Sequence, residues 1–397
     1  MTLKNLKRAT LIAIKKPRIK PKQELAADEF RYTVNITGEL NNPLEYRELR
    51  PGNGTVIGAT VNWGDGTTGG TIINGILAHT YAAPGVYQIS VRGSSDDLSI
   101  LRYTTQPGYS MVSMDSVFPD TMQTGRGQAV TVDYTFCYQS NLVEIPGGLF
   151  DSSREVKRFD SNFFGCSRLI MIPGDLFQKC SAVEVFYKVF EKCTALRELP
   201  EELFFGNPNL RAVQMVFRDC TGLKSIPGGL FSRNANLESV LNCFRNDTGL
   251  AELPEDLFSE NPALVSFDGC FAGCAGLTSI PAGLFAHNLN ATNFNDCFEG
   301  CTGLTSIPED LFANNVPDQN YGLRMCFYGC TGLTSIPSGL FANVPDGTNL
   351  SQMFEGCTGV VGDVPPLWET HPNSNHYGCF SGCVNAANYA DIPSDWK

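Results

Sequence analysis

Fifteen cysteines and four histidines are the residues of this chain best equipped for chemistry. Thiolates and imidazoles ligate zinc, and His371, His376, Cys379 and Cys383 stand close enough in sequence to form one site. Both cysteines, however, fall at positions that recur along the chain, so they already have a structural reason to be there. Asp65, in a Gly-Asp-Gly turn, is a possible calcium ligand, but an aspartate there chiefly accepts hydrogen bonds from its own backbone. Nucleophilic catalysis by a hydroxyl or thiol would need a histidine base, and the choice is confined to His79, His287, His371 and His376. His79 belongs to a strand-turn motif and His287 to a repeated loop. The acid pairs Glu201-Glu202, Glu255-Asp256 and Glu309-Asp310 each follow a proline, where they read as first-turn acids of a helical turn. No glycine-rich phosphate loop is present. The residues therefore predict a protein that is not an enzyme and uses no catalytic residue, metal or cofactor.

The elements that carry these residues are periodic. Pro146, Pro173, Pro200, Pro227, Pro254, Pro281 and Pro308 are spaced by 27, and Pro337, Pro365 and Pro393 follow at intervals of 29, 28 and 28. At one phase of this repeat stand Phe136, Phe163, Phe190, Phe217, Phe244, Phe271, Phe298, Phe327, Phe354 and Phe380. Three residues later comes a cysteine (Cys166, Cys193, Cys220, Cys274, Cys301, Cys330, Cys357, Cys383), with Gln139 and Asp247 as the exceptions. A leucine then opens an alternating segment such as Leu304-Thr305-Ser306-Ile307-Pro308, which predicts a short strand ended by the proline. After the proline a helical turn carries Leu-Phe inward, and a second apolar segment leads back to the phenylalanine. No coil can bury its own Leu, Ile and Phe, so stability requires stacking. With strands about 4.8 Å apart, ten coils predict a body on the order of 50 Å long.

A second cysteine row, Cys243, Cys270, Cys297, Cys326 and Cys379, precedes the first by four residues. Stacked coils bring equivalent Cα atoms within disulfide range, so bridges stay geometrically open. Parallel side chains and an odd total favour small buried thiols.

Units such as Met325-Cys326-Phe327-Tyr328-Gly329-Cys330-Thr331-Gly332-Leu333-Thr334-Ser335-Ile336-Pro337 resemble the BspA-type leucine-rich repeats of bacterial and phage surface proteins. The resemblance covers some 260 residues, with the first and last units, at Gln139 and Ile392-Pro393-Ser394-Asp395-Trp396, expected as caps. Upstream, Trp63-Gly64-Asp65-Gly66 and His79-Thr80-Tyr81-Ala82-Ala83-Pro84-Gly85-Val86-Tyr87 are similar to the signatures of polycystic-kidney-disease domains, an immunoglobulin-like module that implies presentation more than catalysis. The expected class is mainly β with short helical turns. Its parts are a basic arm over 1–28, an immunoglobulin-like β-sandwich over 29–106, a connector or cap over 107–127, and a leucine-rich-repeat solenoid of about ten 27-residue units over 128–397.

Charge narrows the partners. Residues 1–22 carry eight Lys or Arg and no acid, which leaves −20 on the rest of a chain of net charge −12. An acidic body repels nucleic acid, and the arm lacks the interleaved aromatics that stack on bases, so no nucleic acid is expected. No run approaches the length of a membrane span, and Ala9–Ile14, closed by Lys15-Lys16, does not read as a secretory signal. Leu11, Ile12 and Ile14 with Lys15 and Lys16 read as an anchoring peptide that adds to a larger assembly. Tyr187, Arg211, Glu238, Asp268, Asn295, Tyr321 and Arg324 flank the apolar ladder and differ from coil to coil, which makes them the expected ligand contacts. The whole reads as a phage virion surface component, a head or tail fibre or decoration protein. Its arm and sandwich would hold other virion proteins and its solenoid a host-surface protein or glycan, with self-association also open. A bacterial cell-surface adhesin is the alternative.

Overall fold

The computed structural model describes residues 29–36, 45–48, 60–69, 71–73, 76–92, 111–118 and 131–397. The arm, with Leu11, Ile12, Ile14, Lys15 and Lys16, lies outside the described residues. So does the connector apart from 111–118. From residue 131 onward the chain winds in stacked coils whose phenylalanines form continuous ring columns. Phe136 through Phe380 stack at intervals of 5.4 to 5.9 Å. A second column, from the Leu-Phe pair after each proline, runs beside it, with Phe204, Phe231 and Phe258 at 5.7 and 5.9 Å. Ring offset and stacking supply contact energy in addition to the apolar area removed from water. Trp396 closes the first column, 6.3 Å from Phe380, and Phe118 lies 6.0 Å from Phe136 at the other extremity.

The strands do not sit where alternation placed them. The parallel ladder is built by the second apolar segment: β8 (Thr131–Asp133), β9 (Arg158–Asp160), β10 (Val185–Tyr187) and β11 (Ala212–Gln214) pair in sequence. Single bridges between Ala212 and Ser239, Ser239 and Ser266, and Ser266 and Asn293 extend it. The Leu-x-x-Ile-Pro segment is extended but makes sparse contact with its neighbours, as in Thr305 N–H to the Thr278 carbonyl at 3.3 Å. The proline that follows has no N–H, so a ladder cannot propagate there. Prolines do start the turns: Glu201–Phe204, Gly228–Phe231 and Ser338–Phe341 are 3₁₀ helices capped by Pro200, Pro227 and Pro337 in extended conformation.

All fifteen cysteines are buried thiols. In the first row each Sγ donates to the phenylalanine carbonyl of the preceding coil, from Cys166 to Phe136 at 3.2 Å through Cys383 to Phe354 at 3.2 Å. The row leaves no room between coils at the neighbouring Thr-Gly-Leu turn. A Cβ on Gly303 would lie 2.5 Å from the Ala275 carbonyl oxygen and 3.0 Å from that of Leu277. Gly303→Ala is therefore expected to cost about 1–3 kcal/mol in chemical denaturation. An unchanged denaturation midpoint would show that the coils can part there at no cost.

Ahead of the coils, β1 (Glu29–Ile36) lies between β6 (Gly85–Arg92) and β7 (Met111–Met114), with β3 (Thr60–Asn62) outside β6. The sheet thus reaches past the boundary expected at residue 106. Along β1, Phe30, Tyr32, Val34 and Ile36 are buried, while Arg31, Thr33 and Asn35 face outward. A second sheet orders β2 (Glu45–Glu48), β5 (Ile76–Thr80) and β4 (Thr71–Ile73). Trp63 is fully buried and stacks on His79 at 5.0 Å, and the Tyr81 hydroxyl donates to the Trp63 carbonyl at 3.0 Å.

Candidate ligand-binding face

Each coil offers the same outward positions around its strand. Six residues before the phenylalanine stand Lys157, Glu184, Arg211, Glu238, Val265 and Tyr321, and three before it stand Asp160, Tyr187, Gln214, Asp268, Asn295 and Arg324. The expected contact residues therefore fall into two rows on one face, set apart by the width of a strand, except that Asn295, 7% exposed, is buried within the second row by its bonds to Asp268 and Arg324. Within the first row Arg211 pairs with Glu238 at 2.7 Å and Lys157 with Glu184 at 2.9 Å, an alternation of charge from coil to coil. Tyr321 is 56% exposed in the same row. These pairs are solvated, so Glu238→Ala is expected to change stability by less than about 1 kcal/mol, checked by denaturant titration.

The second row is joined more tightly. Asn295 donates to Asp268 at 3.2 Å, and Arg324 donates to Asn295 at 3.2 Å while lying 3.9 Å from Asp296. Arg245 spans two coils to Glu299 at 2.8 Å. Burial, with Glu299 and Asp268 adding their negative charge, pushes the Asp296 carboxyl up to about 6. Its ionisation opposes the fold, so its stabilising contribution is present below its ordinary pKa and lost as pH rises through about 6. Carboxyl NMR should show a titration near pH 6 that Asp296→Asn removes. Tyr187, toward the other end of the row, lies between Arg158 at 4.8 Å and Lys188 at 5.1 Å.

The residues weighed for metal have other partners. His371 is buried, with Nε2 3.0 Å from the Val344 carbonyl and Nδ1 2.8 Å from Thr370 Oγ1. His376 contacts the Ser374 carbonyl at 2.7 Å and Asp395 at 3.1 Å, and stacks on Trp396. Cys379 and Cys383 stay in the thiol rows. Asp65 accepts from the Thr67 amide and hydroxyl at 3.0 and 2.6 Å and lies 2.8 Å from His79 Nε2, as a turn aspartate does.

Coils stacked through a parallel ladder, with ring, thiol and glycine columns in constant phase, are the architecture of a known class. Solved structures that match this chain are those of leucine-rich-repeat proteins. A leucine-rich cell-surface protein from Faecalibacterium prausnitzii matches at 17% identity over 78% of this chain and 84% of that one, with a TM-score of 0.36. The leucine-rich-repeat domain of the type III effector XopL matches at 19% identity, over 49% of this chain and 66% of that one, with a TM-score of 0.30. A chain of the Drosophila Toll–Spatzle complex matches at 18% identity over 64% of this chain, which spans 40% of that chain's length, with a TM-score of 0.33. No protein family and no curated protein matches the sequence. These likenesses concern fold alone.

The solenoid also contains a column that sequence reasoning passed over. Asn207, Asn234, Asn261, Asn288 and Asn315 recur every 27 residues and are buried. Each Nδ2 donates to two carbonyls of the preceding coil; Asn261 reaches those of Phe231 and Asn234, both at 2.9 Å. Cys180 fills the same position one coil earlier and donates to the Phe150 carbonyl. His371 fills it at the far end. The constant interval was visible in the sequence, but attention to apolar and cysteine positions masked it.

Proposed function

We propose that this chain is a non-enzymatic binding and structural protein that presents the strand face of its solenoid to a partner on a host or environmental surface. The observation that carries this reading is the contrast within each coil. A ring column repeats without interruption beneath the surface, flanked by thiol and asparagine columns with few exceptions, while the outward rows change from Tyr187 to Gln214 to Asp268 to Arg324. A scaffold of that kind keeps many side chains at fixed spacing along an open face. The upstream sheets, read as an immunoglobulin-like module of the polycystic-kidney-disease type, act as spacer, and the basic segment over 1–28 as anchor. We place the protein on a phage virion. Fifteen cysteines buried as thiols suit a chain that folds in a reducing compartment and reaches the outside by lysis.

The test compares the full chain with a version lacking residues 1–24 for incorporation into purified particles, by mass spectrometry and electron microscopy. Incorporation of the full chain and loss from the folded truncation is the expected result. Finding the full chain in bacterial envelopes and never in particles would replace the virion with a cell-surface adhesin. The binding role of the solenoid would stand in that case.

A further inference from the structure

Ahead of the coils, strand alternation sends Phe30, Tyr32, Val61, Ile89 and Val91 into the core and their polar neighbours to the outer face of the sheet. The register lines those neighbours up across β3, β6 and β1: Thr60, Arg92 and Glu29 in one row, Asn62, Ser90 and Arg31 in the next. Beyond Asn62 the chain turns back through Gly64, Gly66 and Thr68, which stand as a wall beside Gln88. Gly64 has φ +82°, and a Cβ there would lie 2.5 Å from the Gln88 carbonyl oxygen, so only glycine lets the turn sit against β6. The sheet face and this wall border a cleft of about 720 Å³.

Two guanidiniums share one carboxylate in this cleft. Arg31 grips Glu29 through Nε and Nη2, both at 2.9 Å, and Arg92 donates Nη2 to the same carboxylate at 3.0 Å. The Glu29 side chain is only 3% exposed beneath them, whereas that of Arg92 is 54% exposed. Hydrogen bonds from Arg31, opposed by burial and helped by Arg92 and Ser90, hold the Glu29 carboxyl down to about 2, so it is ionised at neutral pH. One carboxylate against two guanidiniums leaves the lining a net charge of +1 on a chain of −12. Asp115 lies outside the lining and accepts instead from Thr33, Ser113 and Gln88. Among the described residues, Nε and Nη1 of Arg92 and Nη1 of Arg31 have no other partner.

We infer that this cleft binds a phosphate monoester on a small, hydroxyl-rich body, with Arg31 and Arg92 on the phosphate and Thr60, Asn62 and Thr68 on the hydroxyls. Apart from the three charged residues, the lining consists of hydroxyls, amides and glycine backbone. An aromatic or lipid ligand would find no apolar surface there, and a cation would meet net positive charge. A phosphate presents three terminal oxygens, enough to serve both guanidiniums at once, whereas the two oxygens of a carboxylate are filled by one fork. Glu29 holds the guanidiniums in place before the ligand arrives and is covered by them, so it positions the cations without facing the anion.

The test measures binding of glucose 6-phosphate, inorganic phosphate and glucose to the full chain by calorimetry. The same titrations use Arg92→Gln, Thr68→Val and, as a control for charge alone, Arg154→Gln in the solenoid. Saturable binding of glucose 6-phosphate, weaker binding of inorganic phosphate and none of glucose are expected. Arg92→Gln should weaken the ester about tenfold or more and Thr68→Val several-fold, while Arg154→Gln leaves it unchanged. Thr68→Val keeps the Glu29 ion pairs intact, so it decides the matter if Arg92→Gln lowers the melting temperature. Failure to bind glucose 6-phosphate overturns the inference, as does equal weakening by Arg92→Gln and Arg154→Gln or full affinity in Thr68→Val. Competition by vesicles of phosphatidylcholine and phosphatidate would also overturn it, by moving the phosphate from a soluble ester to a lipid headgroup. The cleft lies apart from the solenoid face, so incorporation into particles or envelopes decides the broader reading separately.

Discussion

Asp247→Cys is expected to raise the stability of the solenoid at pH 7 by about 1–3 kcal/mol and to have much less effect near pH 4. Asp247 occupies the thiol row between Cys220 and Cys274, is 0% exposed, and neither carboxyl oxygen has a hydrogen-bond partner. The thiols on either side donate to the Phe190 and Phe244 carbonyls at 3.1 Å. The carbonyl at the matching place for residue 247 is that of Phe217. A carboxylate cannot donate to it and is desolvated instead. Burial therefore pushes the Asp247 carboxyl well above its ordinary value of 3.8, and the nearby Asp219 pushes in the same direction. A group raised in the fold favours folding below its unfolded pKa, and that contribution is lost as pH rises toward its folded pKa. A buried polar group without a partner costs about 1–3 kcal/mol, which gives the figure above. Asp247→Asn should recover much of the same gain, because an amide can donate to a carbonyl as the buried asparagines do. Denaturant titrations of the three proteins at pH 4 and pH 7 check this. A stability difference that does not change with pH would sink the account.

Asn261→Leu should cost about 1–3 kcal/mol, although leucine has similar volume and is more apolar. The amide of Asn261 satisfies the carbonyls of Phe231 and Asn234, both at 2.9 Å, where no water reaches. Removing the donor takes the second hydrogen bond from each carbonyl, which then keeps only the Asn234 or Leu237 amide at 3.0 Å, a loss of about 0.5–1.5 kcal/mol each. The Asn261 Oδ1 has no partner of its own, so its loss returns part of that penalty. Two side effects separate this account from a packing defect. Hydrogen exchange should quicken around residues 231–237 and 258–264, and Asn261→Cys should lose less than Asn261→Leu, since Cys180 already serves the column with one thiol bond at 3.4 Å. Equal stability of the leucine variant and the parent would show that these carbonyls need no second donor.

The repeat, its period and its apolar columns were legible from residue spacing, because a side chain that must stack on its counterpart recurs at constant interval. The cysteine rows were legible as buried positions for the same reason. The place of the strands was not. Leu304-Thr305-Ser306-Ile307 carries the alternating pattern and Val185-Phe186-Tyr187 is a short apolar run, and only the pairing of neighbouring coils reveals that β10 carries the ladder. The candidate contacts were legible as variable positions, yet their connections were not. Arg211 joins Glu238 in one row while Asp268, Asn295 and Arg324 join in the other, and repeat phase separates the two sets without saying which members bond.

By itself, then, the sequence determined that this is a stacked-coil protein with a ring-filled interior, since a period of 27 with apolar residues in fixed phase has no other way to leave water. Tertiary structure alone decided which polar residues are structural and which face outward. Asn261 and His371 are drawn inward by carbonyls of the preceding coil, and Tyr138 and Lys192 are turned outward by a left-handed backbone. Those outcomes depend on hydrogen-bond partners about 27 to 30 residues away and on dihedral angles, neither of which a residue type carries with it.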